Sequence, residues 1–281
     1  MRDPLDAGLV EPACDHPLQP SRTADAVMRD TIAIMERRNI IAMVSGEPVD
    51  IARWDAAAPE RVITGLDLRI LPRPASALFP ARSAAGVAAL HDAGAFEVLG
   101  EVMAQYEGIA PDDPRLEPYW ALAEARGIPV AIHLGPGGGG DPYRAGGYRA
   151  RNSSALVLEE ALVRHPRLRL YIMHAGYPLI DDLLALMAAH PQVYVDIAAI
   201  VATEPRPAFY RYLERIVEAG FGDRIMFGTD QGVWPGLIEV AIRTIEQAPF
   251  LSDAQKRDIF YNNAARFLRL TPAQIARHHA M

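Results

Sequence analysis

Five short apolar segments of the sequence end on a residue that can bind a metal ion or carry a proton. Those residues are Glu101, His133, His174, Asp196 and Asp230. A strand of a parallel sheet is apolar throughout because helices cover both of its faces. A polar residue at the carboxyl end of such a strand is typical of the rim of a functional site. The repeated pattern predicts that these side chains share one rim.

Two histidines and an aspartate of this set could hold a metal ion. Imidazole nitrogens and carboxylate oxygens are ligands that zinc, manganese and iron accept. His133, His174 and Asp230 therefore predict a site for one divalent metal ion, with zinc expected first and manganese or iron as alternatives. Ordinary structural interpretations remain, namely a hydrogen bond to a carbonyl group for His133 and a helix cap for Asp230.

The other carboxylates of the rim are less specific. Glu101 either binds the metal, holds the substrate or forms an ion pair within the site, and the sequence does not separate these roles. Asp196 is expected to orient its neighbours rather than to catalyse. Asp67 lies at the end of an earlier strand, and the sequence does not assign it a role either.

Substrate contacts are predicted in the segments that follow the strands. Arg149 comes after the glycine-rich loop 135–140 and, with Arg144 and Arg151, either pairs with an anionic substrate or is simply solvated. Tyr177 and Trp234 follow His174 and Asp230 closely, and they either line an apolar pocket or pack within the fold.

Other chemistries are disfavoured. A serine hydrolase is disfavoured because the sequence has no Gly-x-Ser-x-Gly motif, and the single cysteine, Cys14, lies in an irregular N-terminal segment. Lys256 is the only lysine and falls in the C-terminal helical region. This position excludes a pair of metals bridged by a carboxylated lysine.

Seven strands must position these residues, and the sequence predicts them over 40–44, 62–68, 96–101, 129–134, 168–174, 193–197 and 225–229. Each interval accommodates one crossover helix, so the sheet is predicted to be parallel. The predicted helices cover 23–38, 114–126, 153–165, 178–190, 207–219, 252–262 and 272–279. This alternation indicates one α/β domain over 1–281, with an irregular segment at 1–22 and closing helices over 252–281. The expected class is a (β/α)₈ barrel of the TIM type whose first strand is missing or degenerate.

Length and composition limit the classes of partner that the chain is expected to bind. A length of 281 residues suits one barrel, and a net charge of −7 without a basic cluster disfavours nucleic-acid and anionic-membrane partners. No apolar stretch is long enough for a membrane span, and no signal peptide is evident. We expect a cytoplasmic protein with a small-molecule substrate.

Several segments together resemble the amidohydrolase-related family, a group of metal-dependent (β/α)₈ barrels that includes enzymes similar to aminocarboxymuconate semialdehyde decarboxylase. The matching segments are 35–46, 99–109, 132–135, 173–178, 193–196, 225–230 and 261–268. The resemblance implies that His133 binds the metal and that His174 transfers a proton or is a second ligand. It also implies that Asp230 binds the metal and accepts a proton from the attacking water.

The family's first strand carries a His-x-His pair that supplies two metal ligands, and this sequence has no such pair. A truncated start and genuine degeneration are both compatible with this departure. Asp15 and His16 lie near the right region in a proline-flanked loop and are not taken as a replacement. Metal affinity is expected to fall accordingly.

The function expected from these observations is a metal-dependent hydrolase that uses metal-activated water on a small carboxylated, ester, lactone or amide substrate. A metal-dependent decarboxylase is the alternative among enzymes. A metal-free ligand-binding barrel is the alternative outside them. Because an open barrel exposes unpaired strand edges, self-association as a homodimer is a further expectation.

Overall fold

A computed structural model describes residues 18–72, 80–138, 140–144 and 147–281. Within them, seven parallel strands form one curled sheet in sequential order. The strands are β1 (Ala42–Gly46), β2 (Val62–Leu68), β3 (Val98–Val102), β4 (Val130–His133), β5 (Leu170–Met173), β6 (Val193–Asp196) and β7 (Ile225–Met226). The seven parallel strands predicted from the apolar segments are confirmed. The question of a first strand, together with Cys14, Asp15 and His16, lies outside the described residues.

Helices surround the sheet. They are α1 (Ala24–Arg38), α2 (Pro48–Ala57), α3 (Ala84–Asp92), α4 (Glu117–Arg126), α5 (Asp141–Arg144), α6 (Glu159–Arg164), α7 (Ile180–Ala189), α8 (Ile200–Thr203), α9 (Arg206–Ile216), α10 (Leu237–Glu246), α11 (Asp253–Arg257), α12 (Asn263–Leu268) and α13 (Pro272–Ala280). In the described part of the chain, no helix is both long and apolar enough to cross a membrane.

The two faces of the sheet pack into different cores because alternate side chains of a strand point to opposite faces. The outer face, with residues such as Leu99, Ile132 and Ile172, packs under the helices. The inner face packs on itself and on Phe267 of α12, whose ring lies 5.4 Å from Tyr171. Since Tyr171 is near the start of β5, α12 closes the barrel at the amino ends of the strands. The opposite end holds the polar residues.

Helix α1 joins the two edge strands of the sheet. Its residue Met35 packs with Val62 and with residues of β1, whereas Ile34 packs against Ile238 and Ile242 of α10, which follows β7. Polar contacts reinforce this second side, because Arg37 and Arg38 both donate to Glu239 of α10. In the described chain, β7 and β1 are not hydrogen-bonded to each other, and α1 connects their surroundings instead.

The helix predicted over 153–165 is wrong in its first half. Residues Ala150–Ser153 and Ala155–Leu158 form separate 3₁₀ turns, and regular helix begins only at Glu159. Tertiary hydrogen bonds explain the interruption, since the Ser153 hydroxyl donates to Gly135 O at 2.8 Å and the Ser154 hydroxyl donates to Asp182 at 2.6 Å. These bonds tie the segment to the loops around the site.

Strand β7 is shorter than predicted. It ends at Met226 rather than at Thr229. It pairs with β6 alone, and the next N–H, that of Phe227, donates to Ile259 O at 2.9 Å instead of continuing the sheet. The chain from Phe227 to Asp230 is therefore an irregular segment at the sheet edge.

Asn263 of α12 supports β7 from behind. Its buried amide donates to Gly222 O at 2.9 Å and to Ile225 O at 2.6 Å. We expect Asn263→Ala to lower the free energy of unfolding by about 2 kcal/mol, because one buried and one partly buried carbonyl group lose their donor. Urea denaturation of the variant measures this loss.

The neighbouring Asn262→Ala provides the control. Asn262 is exposed, and among the described residues its side chain bonds only to Asp258 of its own turn, so its removal should change stability by less than about 0.5 kcal/mol. Equal stability of the two variants would contradict a supporting role for Asn263.

Candidate metal centre

Three side chains converge at the carboxyl ends of neighbouring strands. Among the described residues, Glu101, His133 and His174 form the group whose potential ligand atoms all lie within 4.8 Å of one another. His133 Nδ1 lies 2.8 Å from Glu101 Oε1 and 3.0 Å from His174 Nε2. One nitrogen therefore stands at the centre of the group.

The hydrogen bonds fix which nitrogen of each ring faces the group. His174 Nδ1 lies 2.9 Å from Ala198 O, and a carbonyl oxygen can only accept, so Nδ1 carries the proton and the lone pair is on Nε2. The hydrogen of this group then lies on His133 Nδ1, which faces the Glu101 carboxylate, and a metal ion bound at that nitrogen would displace it. His133 Nε2 is buried and has no hydrogen-bond partner in the described chain.

Burial sets the protonation of this group. Burial lowers the pKa of His133, against the effect of its hydrogen bond to Glu101, and so favours the neutral imidazole. For Glu101 burial acts to raise the pKa, but the hydrogen bond from His133 and the charges of nearby residues outweigh it, and the pKa is lowered. An ionised carboxylate thus faces two imidazoles.

Two aspartates hold the backbone on either side. Asp67, at the end of β2, accepts a hydrogen bond from Glu101 N–H at 2.9 Å. Asp196, at the end of β6, accepts from His174 N–H at 2.9 Å and from Ala198 N–H at 3.0 Å. Burial raises the pKa of each aspartate to about 6. Both aspartates orient the peptide of a converging residue.

The turn after β5 has an uncommon backbone conformation. His174 and Ala175 have φ values of 60° and 50°, in the left-handed region that residues with a side chain seldom occupy. Gly135 leaves room for it, because a Cβ atom there would lie 2.7 Å from His174 Cβ. This turn carries the His174 ring to within 4.6 Å of the His133 ring.

Asp230 stands apart from the group of three. It follows the irregular segment after β7, is exposed, and has a φ of 50°. Its carboxylate accepts no hydrogen bond from the described residues, so the alternative role as a helix cap is not seen. Partial loss of hydration raises its pKa, and the nearby charge of Glu101 adds to this effect while that of His174 opposes it.

The three predicted substrate contacts lie in different surroundings. Arg149 is exposed and donates to Tyr148 O at 2.7 Å. Tyr177 packs edge-on against Tyr212 of α9, with ring centroids 5.0 Å apart. Trp234 is 45% exposed beyond Asp230. Their contact with a substrate stays a prediction.

The sequence interpretation missed the residues that fix the loop after β4. The buried Gln105 side chain donates to Gly135 O at 3.2 Å and to the Ser153 hydroxyl at 2.7 Å, and its oxygen accepts from Gly135 N–H at 3.2 Å. Tyr148 adds a hydroxyl bond to Gly135 O. The available signal was the polar Gln105-Tyr106-Glu107 stretch just after a strand end.

The donor set fits a divalent metal ion. Two imidazole nitrogens and one carboxylate oxygen suit zinc, manganese or iron. A ligating histidine usually donates its second ring nitrogen to a carbonyl or carboxylate group, as His174 does to Ala198 O. Lys256 lies in α11 and donates to Glu246 O, away from the group, as the exclusion of a carboxylated lysine requires.

A sequence model of the amidohydrolase family matches residues 11–270. The chain belongs to the amidohydrolase family. This match confirms, over most of the chain, the amidohydrolase resemblance seen in the separate motifs. No curated protein sequence matches the chain. Membership in this family supports the prediction that the chain is an enzyme, and the family is typically metal-dependent.

Solved structures share the fold. An uncharacterised TIM-barrel protein from Bordetella bronchiseptica has 18% identity and a TM-score of 0.64, covering 90% of this chain and 92% of its own. The 5-carboxyvanillate decarboxylase of Sphingomonas paucimobilis has 17% identity and a TM-score of 0.56, with 88% and 75% covered. A protein of Acinetobacter baumannii named a probable 2-pyrone-4,6-dicarboxylic acid hydrolase, with citric acid bound, has 14% identity and a TM-score of 0.61, with 91% and 95% covered. The TIM-barrel class of this amidohydrolase is confirmed.

The raised pKa of Asp67 predicts that the free energy of unfolding depends on pH. Its folded pKa of about 6 exceeds the ordinary value of 3.8, so its contribution to stability is complete below pH 3.8 and is lost as the pH rises through 6. In Asp67→Asn this loss is absent. From pH 4 to pH 8, the unfolding free energy of the wild type should therefore fall relative to the variant by up to about 3 kcal/mol.

Urea denaturation of both proteins at pH 4, 6 and 8 checks this expectation. Asparagine retains an oxygen that can accept from Glu101 N–H, so the comparison isolates the charge. Parallel stability curves for the two proteins would show that Asp67 is not a buried carboxyl of raised pKa.

Proposed function

We propose that this amidohydrolase is a metal-dependent hydrolase whose metal ion is held by Glu101, His133 and His174. The observation that carries the proposal is that one potential ligand atom of each of Glu101, His133 and His174 lies within 4.8 Å of those of the other two. Zinc is the metal expected first, since two imidazoles and a carboxylate are a common zinc set.

A divalent ion held there would supply a water molecule of lowered pKa and would polarise a carbonyl group of the substrate. The chain itself provides the proton acceptor. Asp230 is exposed at the rim, near enough to Glu101 and His174 for their charges to act on its pKa. Its raised pKa makes it a better base than an ordinary carboxylate, which suits proton transfer from water.

His174 has a second part in this proposal. Its Nδ1–H bond to Ala198 O and the Asp196 bond to its backbone keep Nε2 directed at the group of three. Its orientation is therefore fixed before the substrate arrives, and such preorganisation lowers the cost of reaching the transition state.

The proposed substrate is a small carboxylated, ester, lactone or amide compound. Arg149 is proposed to pair with an anionic group of it, and Tyr177 and Trp234 are proposed to contact its apolar part. In the part of the chain that the structure describes, the sheet is not closed between β7 and β1, and this side is in turn proposed as the site of homodimer formation.

A decarboxylase is the second candidate. It is favoured by the similarity in fold to the 5-carboxyvanillate decarboxylase and by the positive charge of Arg69, which acts on both Glu101 and His133. A cation that acts on Glu101 and His133 would also attract the carboxylate of a substrate. In that reaction the carbon–carbon bond breaks without uptake of water.

Metal binding tests the first step of the proposal. We expect the folded protein to bind about one zinc ion per chain, and Glu101→Gln to weaken binding by roughly tenfold or more, since the amide is a poorer ligand than the carboxylate. Elemental analysis and titration against a chromophoric chelator measure both. His279→Gln, which removes an exposed histidine of α13, is the control and should bind zinc as the wild type does. Zinc binding by Glu101→Gln at wild-type strength would refute the ligand set.

Asp230 tests the chemical step. A screen of esters, lactones, amides and carboxylated compounds with the zinc-loaded protein provides the substrate. Asp230→Asn should then lower kcat by roughly 10²- to 10⁴-fold, the usual contribution of a positioned base, with circular dichroism unchanged. Asp223→Asn, at an exposed aspartate before β7, is the matched control.

Isotope labelling distinguishes a hydrolase from a decarboxylase. Hydrolysis incorporates ¹⁸O from labelled water into the product, whereas decarboxylation releases labelled CO₂ from a carboxyl-¹³C substrate.

Turnover by Asp230→Asn at the wild-type rate would rule out the proposed role of Asp230.

A further inference from the structure

Tyr106 lies beside the group of three, and neither the family resemblance nor the ligand geometry assigns it a role. It belongs to a 3₁₀ helix, Ala104–Glu107, that follows β3. The residues on either side of Tyr106 anchor this helix. Gln105 bonds to both backbone groups of Gly135, and Glu107 accepts from the N–H groups of Ile70 and Leu71 at 3.0 and 3.2 Å.

The ring of Tyr106 packs against one of the proposed metal ligands. Its centroid lies 4.6 Å from that of His133 and 5.7 Å from that of Tyr148. Because the backbone is anchored and the ring contacts two others, the phenol has a defined position at the mouth of the barrel. A fixed position is what a substrate-contacting group requires.

The hydroxyl groups of the two tyrosines have different surroundings. Tyr148 uses its hydroxyl within the fold, accepting from Gly137 N–H at 2.9 Å and donating to Gly135 O at 3.2 Å. The hydroxyl of Tyr106 has no hydrogen-bond partner among the described residues, and it is not among their fully buried unpaired atoms, so it reaches solvent. It is a polar group of the rim that the fold does not use.

The phenol stays protonated at neutral pH. The ordinary pKa of a phenol is about 10, well above neutral pH. The hydroxyl is therefore a hydrogen-bond donor that seeks an oxygen acceptor. A divalent ion in the group, together with the positive charge of Arg69 that acts on Glu101 and His133, would exceed the negative charges of Glu101 and Asp230 and would favour an acceptor with negative charge.

We propose that the Tyr106 hydroxyl contacts the substrate directly, donating a hydrogen bond to a carboxylate oxygen of a substrate held beside His133. The inference rests on the proposed function, because it places the substrate next to Glu101, His133 and His174. It makes that function more specific, since among ester, lactone, amide and carboxylated compounds it selects those that carry a carboxylate.

Benzoate, a planar carboxylate, is the probe. Its binding to the zinc-loaded protein is measured by isothermal titration calorimetry for the wild type, Tyr106→Phe and Tyr210→Phe. Phenylalanine keeps the ring against His133 and removes only the hydroxyl. The control, Tyr210→Phe, also loses one hydroxyl, but that hydroxyl donates to Thr244 O at 2.7 Å, away from the site.

The wild type should bind benzoate, Tyr106→Phe should bind it about tenfold more weakly, as expected for loss of a hydrogen bond to a charged group, and Tyr210→Phe should match the wild type. Equal affinity of Tyr106→Phe and wild type, or no benzoate binding by the wild type, would overturn the inference. Loss of zinc from Tyr106→Phe would also overturn it, because the residue would then act through His133.

Elemental analysis of the same samples separates this inference from the proposed function. A wild type that takes up no zinc refutes the metal-dependent function. A wild type that holds zinc while Tyr106→Phe binds benzoate unchanged refutes only the role of Tyr106.

Discussion

The hydrogen bond between the Glu101 carboxylate and the His133 imidazole is the interaction on which the mouth of this barrel depends. Both side chains are withdrawn from water, with only 13% and 4% of their surfaces exposed. A carboxylate left unpaired in such a place costs several kcal/mol. The bond offsets that cost, and the same His133 nitrogen also lies 3.0 Å from His174 Nε2. The three side chains therefore form one unit in which each depends on the others.

This unit exists because the backbone departs from regular strand geometry twice. Along β5, Tyr171 and Met173 face the inner core and Ile172 faces the outer one. Alternation would turn His174 outward, away from His133. The left-handed turn at His174, held by Asp196, ends the strand and brings the ring back to the site.

Strand β3 makes the second departure. Val98 faces inward, and Leu99 and Val102 both face outward, so alternation is broken between them, where the register of the sheet also shifts. Glu101 lies within this irregular stretch, and Asp67 accepts its N–H. Irregularities that re-aim a side chain beside a site are a recurring use of such breaks in a sheet.

The sequence by itself determined the seven parallel strands, since continuous apolar runs at crossover spacing admit few other folds. It also placed Glu101, His133, His174 and Asp230 at strand ends. Only the tertiary structure decided which of them meet. Asp230 follows β7, an edge strand of two residues, and is exposed. Glu101 and His133 lie within β3 and β4, and His174 directly follows β5, and each of these strands has neighbours on both sides.

The helix break before α6 and the position of Tyr106 could not be predicted from the sequence, because both depend on contacts between distant segments of the chain. The helix expected over 153–165 breaks where Ser153 bonds to Gly135. The position of Tyr106 depends on partners of Gln105 and Glu107 that lie some thirty residues away in the chain. Periodicity reports which face of an element is apolar, but the direction of a polar side chain at a strand end is set by the hydrogen bonds that fix its backbone.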